Sequence, residues 1–147
     1  MITGSAKVRM DDKGRLAIPN RFREPLAKGR GLVLTLHPHN HLILYSEDVF
    51  EARKQQLLAM PNIGYMESHL LEVFIGCAEQ VAMDGTGRVM VQNHLRERAK
   101  IEREVLLFGV GDNIHIWDEK SWEQRNEVFV ARLQDEGFSE RWQNIKL

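Results

Sequence analysis

The sequence predicts an α+β fold made of two copies of one β-rich unit, with helices after each copy. Three observations lead to this prediction. A 17-residue motif occurs twice, the residues around it alternate between apolar and polar as half-buried strands do, and the segments after each copy space their apolar residues as helices do. With 147 residues, 43% of them hydrophobic, the chain is long enough to bury a core of its own.

The repeated motif is VRMDDKGRLAIPNRFRE at residues 8–24 and VAMDGTGRVMVQNHLRE at residues 81–97. Eight of the 17 aligned positions are identical, where chance would give roughly one, so an internal duplication is the simplest explanation. The duplication divides the chain into repeat 1 (residues 5–52), linking helices (53–79), repeat 2 (81–124) and a C-terminal helical segment (125–147).

Each repeat is expected to run strand, strand, short helix, strand, strand. In repeat 1 the first two strands flank the turn DDKG, where Gly14 suits a positive φ and Asp11 can accept hydrogen bonds from turn amides. Gly87 and Asp84 take the same positions in repeat 2. Asn20 is a candidate cap for the short helix. Four short strands cannot close a core alone, so we expect the two copies to pack about a pseudo-two-fold axis.

Three longer helices are predicted outside these units. The first begins at Ser46, a capping residue followed by acidic residues, and is ended by Pro61. The second covers residues 63–77. The third begins at Ser121 and is closed by Gly137.

The formal net charge of -1 conceals an uneven distribution. Residues 1–30 carry eight basic and three acidic side chains, a local charge of +5, whereas residues 46–80 carry a local charge of -4. A basic cluster of this kind is consistent with a solvated face or with a surface for a polyanion. Composition leaves both interpretations open.

The spacing Asp-x-x-Gly-Arg, followed by an apolar pair and an arginine-bearing turn, resembles the AbrB-type swapped-hairpin DNA-binding domain. Two copies in a chain of this length, with helices between and after them, resemble the MraZ family of bacterial transcriptional regulators. The resemblance implies that both repeats form one pseudo-two-fold swapped-hairpin barrel within a single chain. It also implies a homo-oligomeric ring that binds short direct repeats in promoter DNA, and a repressor of its own promoter and of the downstream division and cell-wall gene cluster.

The same resemblance assigns the site residues. The family's Asp-x-x-x-Arg element falls on Asp11 and Arg15, and again on Asp84 and Arg88. Arginine can read guanine edges while other cations neutralise phosphates, and repeat 1 has more cations near its arginine, so we expect Arg15 to matter more than Arg88. An ion pair that only closes each turn is the alternative interpretation. The predicted DNA-binding residues are Arg9, Lys13, Arg15, Arg21, Arg23 and Arg88, with Asp11, Gly14, Asp84 and Gly87 positioning the motif.

Other classes of function are less well supported. The same hairpin fold can serve as an antitoxin-like protein-interaction module. His37, His39 and His41 alternate through a predicted hairpin, but no carboxylate or cysteine lies at a supporting spacing, so we predict neither metal nor cofactor. No pattern of nucleophile, base and orienting residue indicates an enzyme. A single cysteine, Cys77, and the lack of a long apolar run lead us to expect a cytoplasmic protein without a membrane partner. The DNA binding that the resemblance implies adds the expectation that it is nucleoid-associated.

Overall fold

The computed structural model describes residues 1–61, 64–135, 137 and 139–147. Repeat 1 contains β1 (Ser5–Arg9), β2 (Arg15–Ala17), α1 (Asn20–Ala27), β3 (Leu32–Leu36) and β4 (Leu42–Ser46). Helix α2 (Glu47–Leu58) begins within repeat 1 and is followed by α3 (Tyr65–Leu71), which continues into a π-helical turn (Glu72–Gly76). Next comes β5 (Glu79–Val81), which begins two residues before the predicted start of repeat 2, and then β6 (Arg88–Met90), α4 (Asn93–Arg98), β7 (Glu104–Gly109) and β8 (Asn113–Asp118). The chain ends with α5 (Glu119–Arg132) and a 3₁₀ turn (Ser139–Trp142).

The element order agrees with the predicted one, but two helix starts were predicted wrongly. Ser46 does cap α2, since its Oγ accepts a hydrogen bond from the Val49 amide at 3.4 Å. The last helix starts earlier than expected, because β8 runs directly into it and Asp118 at the strand end accepts from the Ser121 amide at 3.2 Å. Asn20 is not a cap but the first residue of α1.

Pro19 explains why α1 begins at Asn20. Pro19 precedes α1 with φ at -56° and an extended ψ, and its carbonyl accepts the Phe22 amide at 2.9 Å, so the helix begins one residue earlier than predicted. The C-terminal ends of two helices also differ from the predicted ones. Helix α2 ends at Leu58, before Pro61, and α5 ends at Arg132, before Gly137. Ile63 and Glu136, which belong to the predicted second and third helices, lie outside the described residues.

The strands form a six-stranded antiparallel sheet in the order β1-β7-β8-β4-β3-β5 and a separate two-stranded sheet of β2 and β6. The first strand of each repeat pairs with the third strand of the other repeat, and β4 pairs with β8 in the middle. If each strand is exchanged with the corresponding strand of the other repeat, the same order results, read from the opposite edge of the sheet. The order places β1 and β5 at opposite ends, so the predicted closed barrel is not found among the described residues.

The six-stranded sheet lies between two apolar clusters. On one face, side chains of β3, β4, β7 and β8 pack with those of β2, β6, α1 and α4, and Phe22 and its counterpart Leu95 are completely buried. On the other face a smaller cluster forms under α2 and the π-helical turn, where the rings of Phe50 and Phe74 stack with centroids 5.5 Å apart. The larger cluster therefore supports the β2–β6 sheet from below.

Helix α5 covers the outer side of β7 and β8. Its Trp122 ring lies 5.3 Å from the Phe108 ring of β7, while Val128 and Val130 remain 58% and 54% exposed. None of the helices in the described parts of the chain has the length and apolar content that spanning a membrane requires.

Candidate nucleic-acid interface

The first turn of repeat 1 is built by one aspartate. The Asp11 carboxylate accepts the amides of Lys13 and Arg15, each at 2.9 Å through Oδ1, and its carbonyl accepts the Gly14 amide at 3.0 Å. Gly14 has a φ of +82°, as the turn requires and as a residue without Cβ tolerates. The predicted roles of Asp11 and Gly14 in the turn are therefore present in the geometry.

The corresponding turn of repeat 2 has the same construction. Asp84 Oδ1 accepts the amides of Thr86 and Arg88, each at 2.9 Å, and also the Thr86 hydroxyl at 2.9 Å. Gly87 has a φ of +81° and donates its amide to the Asp84 carbonyl at 3.0 Å. Replacement of Lys13 by Thr86 thus removes a cation and adds a bond within the turn.

Each aspartate also holds an arginine side chain. Arg15 donates its Nε to Asp11 Oδ2 at 2.7 Å, and Arg88 donates its Nε to Asp84 Oδ2 at 3.0 Å. These bonds use Nε, which leaves the Nη groups of each guanidinium outside them. Arg88 Nη1 also lies 3.8 Å from Asp11 Oδ2, so the two pairs form one cluster.

Hydrogen bonding keeps both aspartates ionised. The amide of Arg15 is the main cause that lowers the pKa of Asp11, and the side chain of Arg15 lowers it further. The amide of Arg88 likewise lowers the pKa of Asp84, with help from Thr86. Both carboxylates are thus charged at neutral pH and can orient the arginines.

The two arginines share the exposed face of the β2–β6 pair, which we call the ribbon. In its antiparallel register Arg15 lies opposite Met90 and Arg88 lies opposite Ala17, while Leu16 and Val89 pair on the buried face. Residues directly opposite each other project from the same face, so Arg15 and Arg88 start from diagonal corners of one face and their side chains meet at Asp11. A two-stranded ribbon of this kind fits the major groove of B-DNA.

Main-chain hydrogen bonds join the turn of each repeat to the second strand of the other repeat. The Ile18 amide donates to the Gly87 carbonyl at 2.9 Å, and the Val91 amide donates to the Gly14 carbonyl at 2.8 Å. The residue that follows the second strand of each repeat therefore donates a hydrogen bond to the glycine carbonyl in the other repeat's turn. The arginine cluster consequently belongs to both repeats at once.

The other predicted DNA-binding cations are placed differently. Lys13 is exposed in the first turn. Arg9 lies on β1, 3.7 Å from Glu104 of β7, and Arg21 donates to the Ser5 carbonyl and stacks its guanidinium over the Phe22 ring at 4.9 Å. These two arginines therefore contact β1 and β7 rather than the turns.

Arg23 and Arg96 are two further cations near the turns. Arg23 donates its Nε to the Ile18 carbonyl at 2.5 Å and its Nη2 to the Thr86 carbonyl at 3.2 Å. Arg96, which the sequence did not single out as a site residue, lies against Gly14 of the first turn. The signal for Arg96 was its identity with Arg23 in the alignment of the two motifs.

The predicted histidine hairpin is a packed turn. The ring of His37 lies 4.6 Å from that of His39 and 4.4 Å from that of His41, and it stacks on the latter at an interplanar angle of 20°. The His39 amide donates to His37 Nδ1 at 3.0 Å. Across the parts of the chain that the structure describes, no three His, Cys, Asp or Glu side chains are arranged to hold a metal ion.

These rings continue into an aromatic stack on the outer face of the sheet. His41 stacks on Trp117 at 4.2 Å and shares a hydrogen bond of 2.9 Å with His115, and the Arg125 guanidinium covers Trp117 at 4.8 Å. Burial is the main cause that lowers the pKa of His37 to about 4 and that of His41 to about 2, and it also lowers the pKa of His115. The nearby charge of Arg125 lowers all three further.

This stack predicts that stability falls in mild acid. Below pH 6.5 the unfolded chain takes up protons on His37, His41 and His115, whereas the folded chain resists them, so the free energy of unfolding decreases as the pH falls from 6.5 to about 4. Above pH 6.5 these histidines are neutral in both states and contribute no slope. Urea unfolding at a series of pH values measures the effect. His37→Gln should make the decline shallower; a slope equal to that of the wild-type protein would contradict the assignment.

Comparison with known proteins places the chain in a family. The family described as "MraZ protein, putative antitoxin-like" matches residues 1–72 and 74–145, and each matched segment contains one copy of the repeated motif. A protein of Methylobacillus flagellatus named transcriptional regulator MraZ is 39% identical over 147 residues, covering 95% of this chain and 99% of its own length. Relatives with the same name are 37% identical in Dechloromonas aromatica, over 90% of this chain and 91% of theirs, and 33% identical in Erwinia tasmaniensis, over the full length of both. The chain therefore belongs to the MraZ family.

Proposed function

We propose that this chain is a sequence-specific DNA-binding transcriptional regulator that inserts its β2–β6 ribbon into the major groove. The observation that supports this most strongly is the pair of arginines on the exposed ribbon face, each held at Nε by the aspartate of its own turn. The three relatives described above are themselves named transcriptional regulators. The proposed activity is binding, without catalysis or a cofactor.

In this proposal some residues provide sequence specificity and others provide affinity. Arg15, with Arg88 in a lesser role, reads guanine edges through the Nη groups that its aspartate leaves available. Lys13 and Arg9 neutralise phosphates beside the ribbon. The ion pair with Asp11 reduces the rotamer freedom that Arg15 loses on binding, which favours a single register on the DNA.

One ribbon supplies few cations, so we propose that affinity comes from several copies acting together. A homo-oligomeric ring would present several ribbons to short direct repeats, and each bound ribbon would raise the effective concentration of the next. The proposed targets are the protein's own promoter and the division and cell-wall gene cluster downstream, both repressed. Promoter DNA of a bacterium lies in the nucleoid, so the proposed location is cytoplasmic and nucleoid-associated.

The two repeats, residues 5–52 and 81–124, are proposed to act as one swapped-hairpin unit related by a pseudo-two-fold axis. The pairing of β1 with β7 and of β5 with β3 supports this, because each repeat contributes its first strand to the other's third. Residues 53–79 would then link the two repeats, and residues 125–147 would follow them as a helical appendage.

Selection of bound fragments from the organism's own DNA tests this proposal. The purified full-length protein should enrich fragments that contain direct repeats upstream of a gene cluster, and its affinity for them should fall steeply with salt as counterions are released. A scrambled fragment of equal length and composition is the control. Random recovery, or equal affinity for the scrambled fragment, would remove the case for a specific regulator.

An antitoxin-like protein-interaction module is the second candidate function. Helix α3 leaves Tyr65 and Met66 88% and 79% exposed, a degree of apolar exposure that a protein partner would cover. The matched family's own description also includes the word antitoxin-like. A protein that copurifies in stoichiometric amount and is released by Met66→Lys, together with weak and salt-insensitive DNA binding, would favour this alternative.

A further inference from the structure

Two arginines cross from one repeat to the turn of the other. Arg23 of α1 reaches the second turn, where it donates to the carbonyl of Thr86, one of the two residues between Asp84 and Gly87 in that turn's hydrogen-bonded ring. Its Nε donates to the Ile18 carbonyl of its own repeat at 2.5 Å. One guanidinium therefore joins the backbone of both repeats directly beneath the second turn.

The fit of Arg23 against this turn depends on glycine. A Cβ added to Gly87 would lie 2.0 Å from Cζ of Arg23 and 2.3 Å from its Nε and Nη2, which is closer than non-bonded atoms approach. Gly87 thus meets two demands: it adopts a positive φ, and it leaves space for the Arg23 guanidinium. Any side chain at this position would push Arg23 off both carbonyls.

The first turn repeats the arrangement with Arg96 of α4. A Cβ on Gly14 would lie 2.9 Å from Cζ and Nη1 of Arg96, whose Nη2 donates to Asn93. The Nε of Arg96 is buried and, within the described part of the chain, has no hydrogen-bond partner. The crossing is therefore present in both repeats, but only Arg23 ties its turn to the backbone of both.

We infer that Arg23 is a positioning residue that fixes the spacing and angle of the second aspartate–arginine turn relative to the first, and so determines specificity without contacting DNA. The inference rests on the proposed DNA-binding function. Arg23 donates to two protein carbonyls from two different nitrogens of its planar guanidinium, an arrangement that the single nitrogen of a lysine does not reproduce. In this role Arg23 determines the position of Arg15 relative to Arg88.

Salt dependence separates a positioning role from a phosphate contact. Arg23→Gln should lower the ratio of affinities for a selected promoter fragment and a scrambled fragment roughly tenfold, the scale of one lost base contact, and leave the slope of log K against log salt unchanged. Arg23→Lys should behave like Arg23→Gln, since it keeps the charge but loses the fork. Lys13→Gln is the phosphate-contact comparison, with a slope that is smaller by about 0.9 for each bound ribbon, and Arg132→Gln on α5 is the neutral control.

Two results would overturn the inference. One is a slope that is smaller by about 0.9 per bound ribbon for Arg23→Gln with an unchanged affinity ratio, because this is the signature of a phosphate contact. The other is full recovery of binding by Arg23→Lys. If Arg23→Gln does not fold, Arg23→Lys alone is measured, and an unchanged affinity ratio for it overturns the inference. Failure of the wild-type protein to prefer its promoter would instead count against the proposed function.

A measurement without DNA tests the contact independently. Gly87→Ala should lower the urea midpoint of unfolding in the wild-type chain by more than it does in the Arg23→Ala background, because the second background has no guanidinium for the new Cβ to displace. The cost of the positive φ is common to both backgrounds and cancels. Equal shifts in the two backgrounds would show that Arg23 does not hold the turn.

Discussion

Arg15→Ala should abolish promoter binding while the protein remains folded and assembled. Loss of a bidentate base contact costs about 1–3 kcal/mol at each site, and an oligomer repeats that loss at every site it occupies. The side chain of Arg15 is 27% exposed and its turn is closed by main-chain bonds to Asp11, so the substitution should leave the fold intact. Gel-shift titration measures the affinity, and thermal unfolding with gel filtration measures fold and assembly.

Arg88→Ala is the matched variant for this experiment. Arg88 has the same bond to its aspartate and the same ribbon position, but its turn contains Thr86 where the first turn contains Lys13. We therefore expect a smaller loss of affinity for Arg88→Ala than for Arg15→Ala. Unchanged affinity for Arg15→Ala, in a protein that still folds, would refute its assignment as the principal reading residue.

Phe22→Ala should lower the free energy of unfolding by about 3–5 kcal/mol. Phe22 is completely buried under α1, where it fixes that helix against the sheet and supports the Arg21 guanidinium at 4.9 Å. Removal of the ring leaves a cavity that the surrounding strands cannot fill without moving. Guanidinium unfolding followed by circular dichroism measures the loss, which is a large part of the stability of a typical domain.

Leu95→Ala and Val128→Ala are the comparisons for Phe22. Leu95 is the counterpart of Phe22 in repeat 2 and is equally buried, so its truncation should cost about 2–5 kcal/mol. Val128 is 58% exposed on α5, and its truncation should change stability by no more than about 0.5 kcal/mol. A cost for Phe22→Ala as small as that for Val128→Ala would mean that α1 does not depend on this anchor.

Local features were the ones that the sequence predicted well. A turn is determined by neighbours in the chain, so Asp11 and Gly14 could be assigned their roles from type and spacing, and the structure gives each turn the expected hydrogen bonds and φ. The Ser46 cap was predictable for the same reason. Asp118 and Ser121 can both cap a helix, so the sequence did not indicate where β8 would end and α5 would begin.

Long-range features were not predictable in the same way. The approach of Arg96 to Gly14 joins residues that are distant in sequence, and only the pairing of β2 with β6 brings them together. The open strand order likewise depends on which strands meet across the repeats, which alternation within each strand does not specify. The sequence therefore predicted residues of the candidate site but not the contacts that join its two halves.

The pairing of β1 with β7 has a consequence for synthesis on the ribosome. Ser5 of β1 finds its partner Phe108 about 100 residues later in the chain. At about 5–20 residues per second the ribosome needs on the order of 5–20 seconds to make that partner. During this interval the basic β1 segment has no strand beside it, so the nascent chain completes its sheet only after most of the second copy has emerged.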